Sequence, residues 1–516
     1  MKTTERMGMV PYRAEFPVSF LTRAFTAMPA RPVTLVVERM TWADLGGPAA
    51  AEIACFGRAD DLLGLADLLR CPVEIWDRAG TRVWWGWVAR VDAQHKAVRA
   101  CVDLDAMANR AAVRYSLSAA ENPFEGERQT TAWAENAAAA AEYGRKERLY
   151  SLSGVSSAAA AARRDLELSL HGWPELAVSV EDRQESVALL TCRGWWDTLD
   201  WVYYANPAGI VEYTDEGSVL ETVWQAAGTY KLAESFTCAT GGWLFEQAWL
   251  KMLRSGTPGD SFRVDLCLDS AGSPGTVLDS ALLAGGSVDT ATRWHAFSFS
   301  GAAAAQTGVT YWLVGSRTGA ADGTNAYKVH VNRGCTYAGG QGKTFNGSAW
   351  TAFSPPNDVN FRVCGGAETT EQVRAMCASG AGGQFLRGVT VEQGSGLFTN
   401  PYRAGDRTAR AEVAALLSAG STGGQAYLAA VTPERVLRVY PRPSTPALRL
   451  EADGSARWLA GSPAAGAELP GQLLRIDVPW IAGGQRVLTG QEVAYVRGAE
   501  WRAGRGLRPV LAAQAG

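Results

Sequence analysis

Histidine is scarce in this chain. His95, His171, His295 and His330 are all there are in 516 residues, and no two stand at the spacing of an HExxH-type metal helix. Catalysis needs convergent polar groups, and the sequence offers few. Neither a GxSxG elbow nor a Walker loop occurs, and the glycine-rich "SGAGGQF" lacks the lysine-serine ending of a phosphate cradle, so it reads as a loop. No CxxC pair occurs among the nine cysteines (Cys55, Cys71, Cys101, Cys192, Cys238, Cys267, Cys335, Cys364, Cys377). An odd, scattered set reads as buried free thiols of a chain made in reducing cytoplasm; a bridge between Cys238 and Cys364, near the ends of a central block, is the open alternative.

Positive charge is not gathered either. The formal net charge is −3, the pI is near 6.0, and no long Lys/Arg block exists, so no sequence-specific nucleic-acid partner is expected. No run approaches about 18 uninterrupted apolar residues, which argues against a membrane-spanning helix. The polar start "MKTTERMGMVPYRAEF" lacks the apolar segment of a signal peptide, so export by ordinary secretion is not expected.

What is abundant is tryptophan, at 19 residues, within a 47% hydrophobic composition that can fill several cores. Large aromatics dominate cores and interfaces, so wide contact surfaces are expected. From Pro32 to Arg114 strands alternate with one helix, "ADDLLGLADLLR", and a hairpin turns at Asp77-Arg78-Ala79-Gly80. This suits a small curved sheet or partial barrel. Ala132–Gly172 reads as two helices, the first starting near Thr131 as its cap. Strands then lead into the cluster Trp195, Trp196, Trp201, Tyr203 and Tyr204.

Near Lys231 charge thins and Gly, Ser and Thr rise. Strand-turn units such as "SFRVDLCLDS" and "VTYWLVGS" follow one another to about Cys364, describing a β-sandwich. Afterwards mixed α and β patterns return, with a capped helix at Thr369 or Thr370 and another beginning after Asp406. The expected class is mainly β with α+β elements. Its divisions are 1–118 (barrel-like), 119–230 (helical, α+β), 231–366 (an inserted antiparallel sandwich) and 367–516 (α+β with a second barrel-like part). Domains accept such insertions at exposed turns.

Two resemblances bear on function. Ser235-Phe236, Ser255–Gly259 ("SGTPG"), Leu268–Gly275 ("LDSAGSPG"), Trp294 with Phe297 and Phe299, "TYWLV" and "NFRVCG" make the central block similar to the choice-of-anchor family of jelly-roll domains. The flanks resemble baseplate-hub or tail-tip proteins of tailed phages, through "CPVEIWDRAGTRVWWGWVARV", "LDAMANRAAVRY", "YGRKE", "CRGWWDTLDWVYYAN" and "SGLFTNPYRAGDRTARAEVAALLSAGS". That resemblance implies hub-type small β-barrels and a homotrimer forming a ring of six quasi-equivalent barrels. It also implies partners in the tail tube and in tip or spike proteins, and a place at the virion tail tip after assembly in the host cytoplasm.

Candidate sites follow. For a sugar's apolar C–H face, Trp350, Tyr337 and Trp243 beside Gly-rich turns are the stacking candidates, with Asn346, Asn325 and Asp322 for its hydroxyls; the competing reading places these aromatics in the sandwich core. Trp312 and Trp249, inside alternating runs, are expected in the core. Trp195, Trp196, Trp201, Tyr203, Tyr204, Tyr402 and Arg403 are candidates for subunit contact. Asp265 with Asp269, or Asp322 with Asp358, is a carboxylate pair that glycosidase chemistry would need, but sequence sets no distance. Calcium near Asp269 or Asp322 lacks a DxDxDG-like spacing. No catalytic residue, metal or cofactor is therefore expected. The resulting expectation is a non-enzymatic tail-tip component whose sandwich touches host-surface polysaccharide; the alternatives are a carbohydrate-binding adhesin and a carbohydrate-active enzyme with an accessory sandwich.

Overall fold

The structure is a computed structural model that describes residues 16–78, 80–117, 128–180, 186–204, 209–214, 219–223, 230–320, 322–333, 337–353, 357–378, 383–400, 405–442, 446–450, 456–458, 468–469, 486–489, 492–503 and 506–513. Strand dominates, in several antiparallel sheets. The chain forms two compact units: Met1–Tyr204 with Val373–Gly394 and Ala404–Gly516, and Ala205–Gln372 with Ser395–Arg403.

In the first unit, β1 (Val18–Phe20), β2 (Thr34–Ala43), β3 (Gly47–Phe56), β4 (Pro72–Trp76), β5 (Arg82–His95) and β6 (Val98–Asp103) come early, with a short helix α1 (Ala59–Leu63) after β3. Gly80, at φ +83°, makes the β4–β5 turn, as its place in the sequence predicts. Then follow β7 (Arg110–Leu117), β8 (Arg128–Thr130), β9 (Ala134–Glu135), α2 (Ala137–Tyr143), β10 (Glu147–Val155), α3 (Ser157–His171), β11 (Glu175–Val180) and β12 (Ser186–Arg193). The main sheet runs β1-β4-β5-β12-β3-β2 as a half-barrel, and β6 then β11 extend from β5. The strand Glu492–Arg502 joins it beside β2.

Its core explains much of the tryptophan. Trp84, Trp87, Trp195, Trp196 and Trp201 are buried together with Ile53, Val73 and Leu190. Trp195–Trp201 is a 3-10 turn rather than the expected strand. The expected cap at Thr131 is also corrected. Residues around it pair as β8 and β9, and Asn136 caps α2 by accepting from the Ala139 N–H at 3.2 Å. Ser156 caps α3 in the same way.

The second unit contains β13 (Ile210–Tyr213), β14 (Val219–Val223), β15 (Lys231–Thr237), β16 (Gln247–Ser255), β17 (Ser261–Ser270), β18 (Ser273–Ala284), β19 (Arg293–Ser298), β20 (Thr310–Arg317), β21 (Ala326–Arg333), β22 (Gly342–Phe345), β23 (Trp350–Ala352), β24 (Asn357–Val359) and β25 (Phe361–Cys364). One sheet runs β13-β25-β16-β21-β14, with β19 beside β16 and β24 beside β21; the other runs β18-β17-β20-β15-β22-β23. Phe236, Phe245, Phe262, Phe297, Tyr311 and Phe361 fill the sandwich-like core with tilted and edge-on ring contacts, apart from the stacked Phe236–Tyr311 pair.

This unit starts at 205, not at Lys231, because β13 pairs with β25 and β14 with β21. "IVEY" and "VLETV" are ordinary strand sequences, so composition alone gives no signal there. The β17–β18 turn is Ala271-Gly272, both at positive φ, as a two-residue hairpin demands. The Cys238–Cys364 bridge is absent, and both thiols are free. Cys238 lies in the sandwich core, whereas Cys364 alternates with the core residues Phe361 and Val363 and faces the other way.

Candidate functional site

The sandwich's seven-stranded sheet carries an aromatic and polar outer face. Along β16, Ala248, Leu250 and Met252 point into the core, so Gln247, Trp249 and Lys251 point out. Register brings partners beside them: Gln247 lies opposite Ser298 and Cys364, Trp249 opposite Ala296 and Arg362, and Lys251 opposite Trp294. Of these, Gln247, Trp249, Ser298, Arg362 and Cys364, together with Glu246 and Asn400, line an open cleft of about 500 Å³. The Trp249 indole N–H donates to Gln247 Oε1 at 3.3 Å, which leaves the half-buried ring bordering the cleft. Arg362 is held by Glu212 at 2.5 Å, and its guanidinium lies 5.9 Å from the Trp294 ring.

Chemically, this arrangement suits a neutral sugar. An indole stacks on the C–H face of a pyranose, while Gln247, Glu246 and Asn400 supply donors and acceptors at the rim. Because Arg362 is already paired, an anionic group is not the obvious guest. Trp249 was expected in the core, and the structure corrects that. The signal was present in "QAWLKML", where the polar neighbours at positions 247 and 251 share its parity.

The six sugar-contact candidates do not form one site. Trp243 is 1% exposed, packs on Phe245 and donates its indole N–H to the Thr240 carbonyl, so it takes the core alternative and has no free face. Tyr337 packs against the core through Tyr213 and Phe361, and its own N–H donates to Asp358. Asp322 and Asn325 clasp a loop. Asp322 accepts from the Thr324 and Asn325 N–H groups and from the Asn325 amide, while Asn325 Oδ1 accepts from the Thr257 N–H. Asn346 accepts from Ser348 and Ala349 and thereby shapes the β22–β23 turn. Trp350 is half-buried beside Phe345, against a small cluster of Ala233, Cys267, Trp312 and Val314 on the other sheet's outer face. Trp312 is buried as expected, and its indole N–H donates to Asp269 at 2.7 Å.

The subunit-contact candidates sort in the same way. Trp195, Trp196, Trp201 and Tyr204 are buried within their own unit, which corrects their assignment to a contact surface. Tyr203 is half-buried, 6.1 Å from the Trp133 ring, with its N–H donating to Glu147. Tyr402 and Arg403 lie outside the described residues.

The carboxylates proposed as pairs are engaged structurally. Asp265 accepts from Arg263 and Ser280, Asp269 from Trp312 and Gly272, and Asp358 from Tyr337 and Gly342. His295 is held below the usual imidazole range by burial, and its Nε2 faces the Asp289 N–H at 3.4 Å. Among the described residues, no three His, Cys, Asp or Glu side chains converge as a metal cage, and no helix is long and apolar enough to cross a membrane. No protein-family model matches the chain, and no curated protein is similar enough to it to count as a relative.

Proposed function

We propose that the chain is a structural, non-enzymatic component of a phage or phage-like tail tip. In this reading it is a hub-type protein at the virion tail tip that joins the tail tube to tip or spike proteins and associates with its own copies as a homotrimer. The inserted sandwich touches host-surface polysaccharide. One architectural observation supports the host-and-insert part of this reading. The first and last strands of the sandwich pair with each other, Ile210 with Cys364 through Tyr213 with Phe361, so the two ends of that block lie side by side in one sheet. An insertion of that kind adds a binding module without opening the host's core.

The polysaccharide contact is assigned to the β16–β19–β25 cleft. The observation favouring it is a half-buried Trp249 among Gln247, Glu246 and Asn400, which combines an apolar platform with hydroxyl partners. An adhesin would share this cleft but would need neither a ring nor a tail.

Electron microscopy of antibody-labelled particles from the source, with mass photometry of the purified chain, tests the assembly. Label at the tail tip and a three-chain mass are expected; a chain absent from particles and solitary at every concentration overturns the reading. For the cleft, Trp249→Ala is expected to weaken retention on immobilised host polysaccharide by about tenfold or more, since one aromatic platform carries a large part of such binding. Unchanged retention removes the cleft from the proposal.

A further inference from the structure

One sheet face in the half-barrel unit is patterned for burial and is bare. Val91 and Ala93 of β5 point into the core and are buried. Across the sheet, Val102, Ala100 and Val98 of β6 stand opposite Val91, Ala93 and His95, and Leu176, Val178 and Val180 of β11 stand opposite those three in turn. Directly opposed residues of antiparallel strands share a side, so this is the core face carried two strands beyond the core. The reverse face bears the ion pairs of Arg90, Asp92, Arg99 and Asp103 and then Glu175, Ala177 and Ser179. The alternation thus marks one side for burial and the other for water. Yet Leu176 is 63% exposed, Val178 64%, Val180 81% and Val98 50%. Nothing among the described residues covers them, and β11 is an edge strand.

The same unit carries a second exposed apolar group. Leu166 and Leu170, four residues apart on one side of α3, are 48% and 64% exposed, and Trp173 just beyond the helix is 48% exposed. We propose that the β6–β11 face of one copy is the seat for the Leu166–Leu170–Trp173 stripe of a second copy of this chain. A helix stripe laid on a sheet face is a standard layer packing, and because the two surfaces differ the contact is head-to-tail, which builds a ring when its rotation closes. The areas agree with that occupant. The face carries on the order of 400 Å² of apolar surface and the stripe on the order of 300 Å², close to the apolar share of a standard interface of about 800 Å² per partner. This contact deepens the proposed self-assembly and rests on that reading only for the number of copies.

The test uses the full chain and two single variants, Val178→Lys on the face and Leu170→Glu on the helix. Both side chains point to solvent in the single chain, and lysine is well tolerated on edge strands; circular dichroism and thermal unfolding verify that each variant folds. Sedimentation across concentration is expected to show the wild type as a multi-chain species and each variant near the 55.0 kDa of one chain, with association weakened at least about thirtyfold. Mixed in equal amounts, the variants are expected to form a one-to-one pair, since Val178→Lys keeps an intact stripe and Leu170→Glu an intact face. A wild-type assembly indifferent to both variants overturns the contact while leaving the tail-tip reading in place. Monomeric variants that fail to pair overturn the head-to-tail arrangement. A monomeric wild type also overturns the proposal.

Discussion

The two units begin from the same alternation of apolar and polar residues and complete it differently. In the sandwich, the inner rows close on each other. Phe262, Val264 and Leu266 of β17 join a core with Val329 of β21, Phe297 of β19 and Phe361 of β25, and each of these side chains is fully buried or nearly so. In the half-barrel, the row that is buried at β5 continues over β6 and β11, where no described residue covers Val98, Leu176, Val178 or Val180. At about 25 cal/mol per Å², an uncovered area on the order of 400 Å² forgoes roughly 10 kcal/mol of transfer free energy. The sandwich also leaves apolar side chains exposed, Leu282 at 63% and Val277 at 47%, but these lie outside its buried inner rows. The difference is between inner rows that close on each other within the chain and a row that no described residue closes.

The largest effect that sharpens this contrast is a core deletion in the sandwich. Phe236 is fully buried between the sheets, with Phe245, Tyr311 and Phe361 ring centroids 5.6–6.2 Å away. Phe236→Ala is expected to cost the sandwich about 3–5 kcal/mol, through lost transfer energy and the cavity left behind. Denaturant unfolding, with hydrogen exchange to separate the units, reads it. A cost shared equally by both units means that they do not unfold separately, and the contrast fails.

The parts of this architecture that were legible in the sequence are those set by local pattern. Alternation marks the strands of both units, and Gly80 punctuates a hairpin where turn chemistry requires positive φ, whereas in "GSPG" only Gly272 belongs to the turn and Ser273–Gly275 already run in β18. What was not legible depends on what lies opposite. "GWWDTLDW" has apolar residues dense enough for a strand, but only the tertiary core, with Trp87 5.1 Å edge-on to Trp201, shows it as a 3-10 turn. The start of the second unit at 205 follows from pairing between β13 and β25, across about 150 residues of sequence, and no local composition reports such a contact. For the candidate site, aromatic residues beside glycine turns drew attention to Trp243, which is core, while the parity of β16 pointed to Trp249. Side-chain parity within a strand carried more information than the neighbouring turn.

A middle-sized effect comes from buried charge, and its sign differs between the units. In the sandwich, Glu234 is buried and its carboxyl is held well above the usual range, first by desolvation and then by Asp358, against one N–H from Val359. Its Oε1 has no partner among the described residues. The unfolded carboxyl ionises in its ordinary range while the folded one stays protonated, so the sandwich loses stability as pH rises from there toward the raised folded value. In the half-barrel, desolvation lowers the Lys146 ammonium from 10.5 to about 8, although it donates to the Leu104 and Asp105 carbonyls. Between about 8 and 10.5 the unfolded state binds more protons, so that unit gains stability as pH rises through the window and loses it as pH falls back through about 8. Glu234→Gln is expected to flatten the sandwich's slope and Lys146→Met the half-barrel's, the second by roughly 3 kcal/mol at the far end of its window. Unfolding followed unit by unit from pH 4 to pH 10.5 reads both. Slopes of the same sign would mean that other groups govern the pH dependence.

The smallest expected effect bears most directly on the contrast. In the monomeric chain, Leu176→Thr and Val178→Thr remove apolar surface that already faces water, and threonine keeps strand propensity. Each change is expected to leave monomer stability within about 0.5 kcal/mol of the wild type, measured by denaturant unfolding at a concentration where one chain predominates. A loss of 2 kcal/mol or more from either substitution would place these side chains in a core belonging to the chain itself, and the half-barrel would then be as complete as the sandwich. A change near zero, set beside weakened association of the same variants, identifies residues whose burial occurs only between chains. Stability and association report on the same row of side chains, and only an assembly face moves the second without the first.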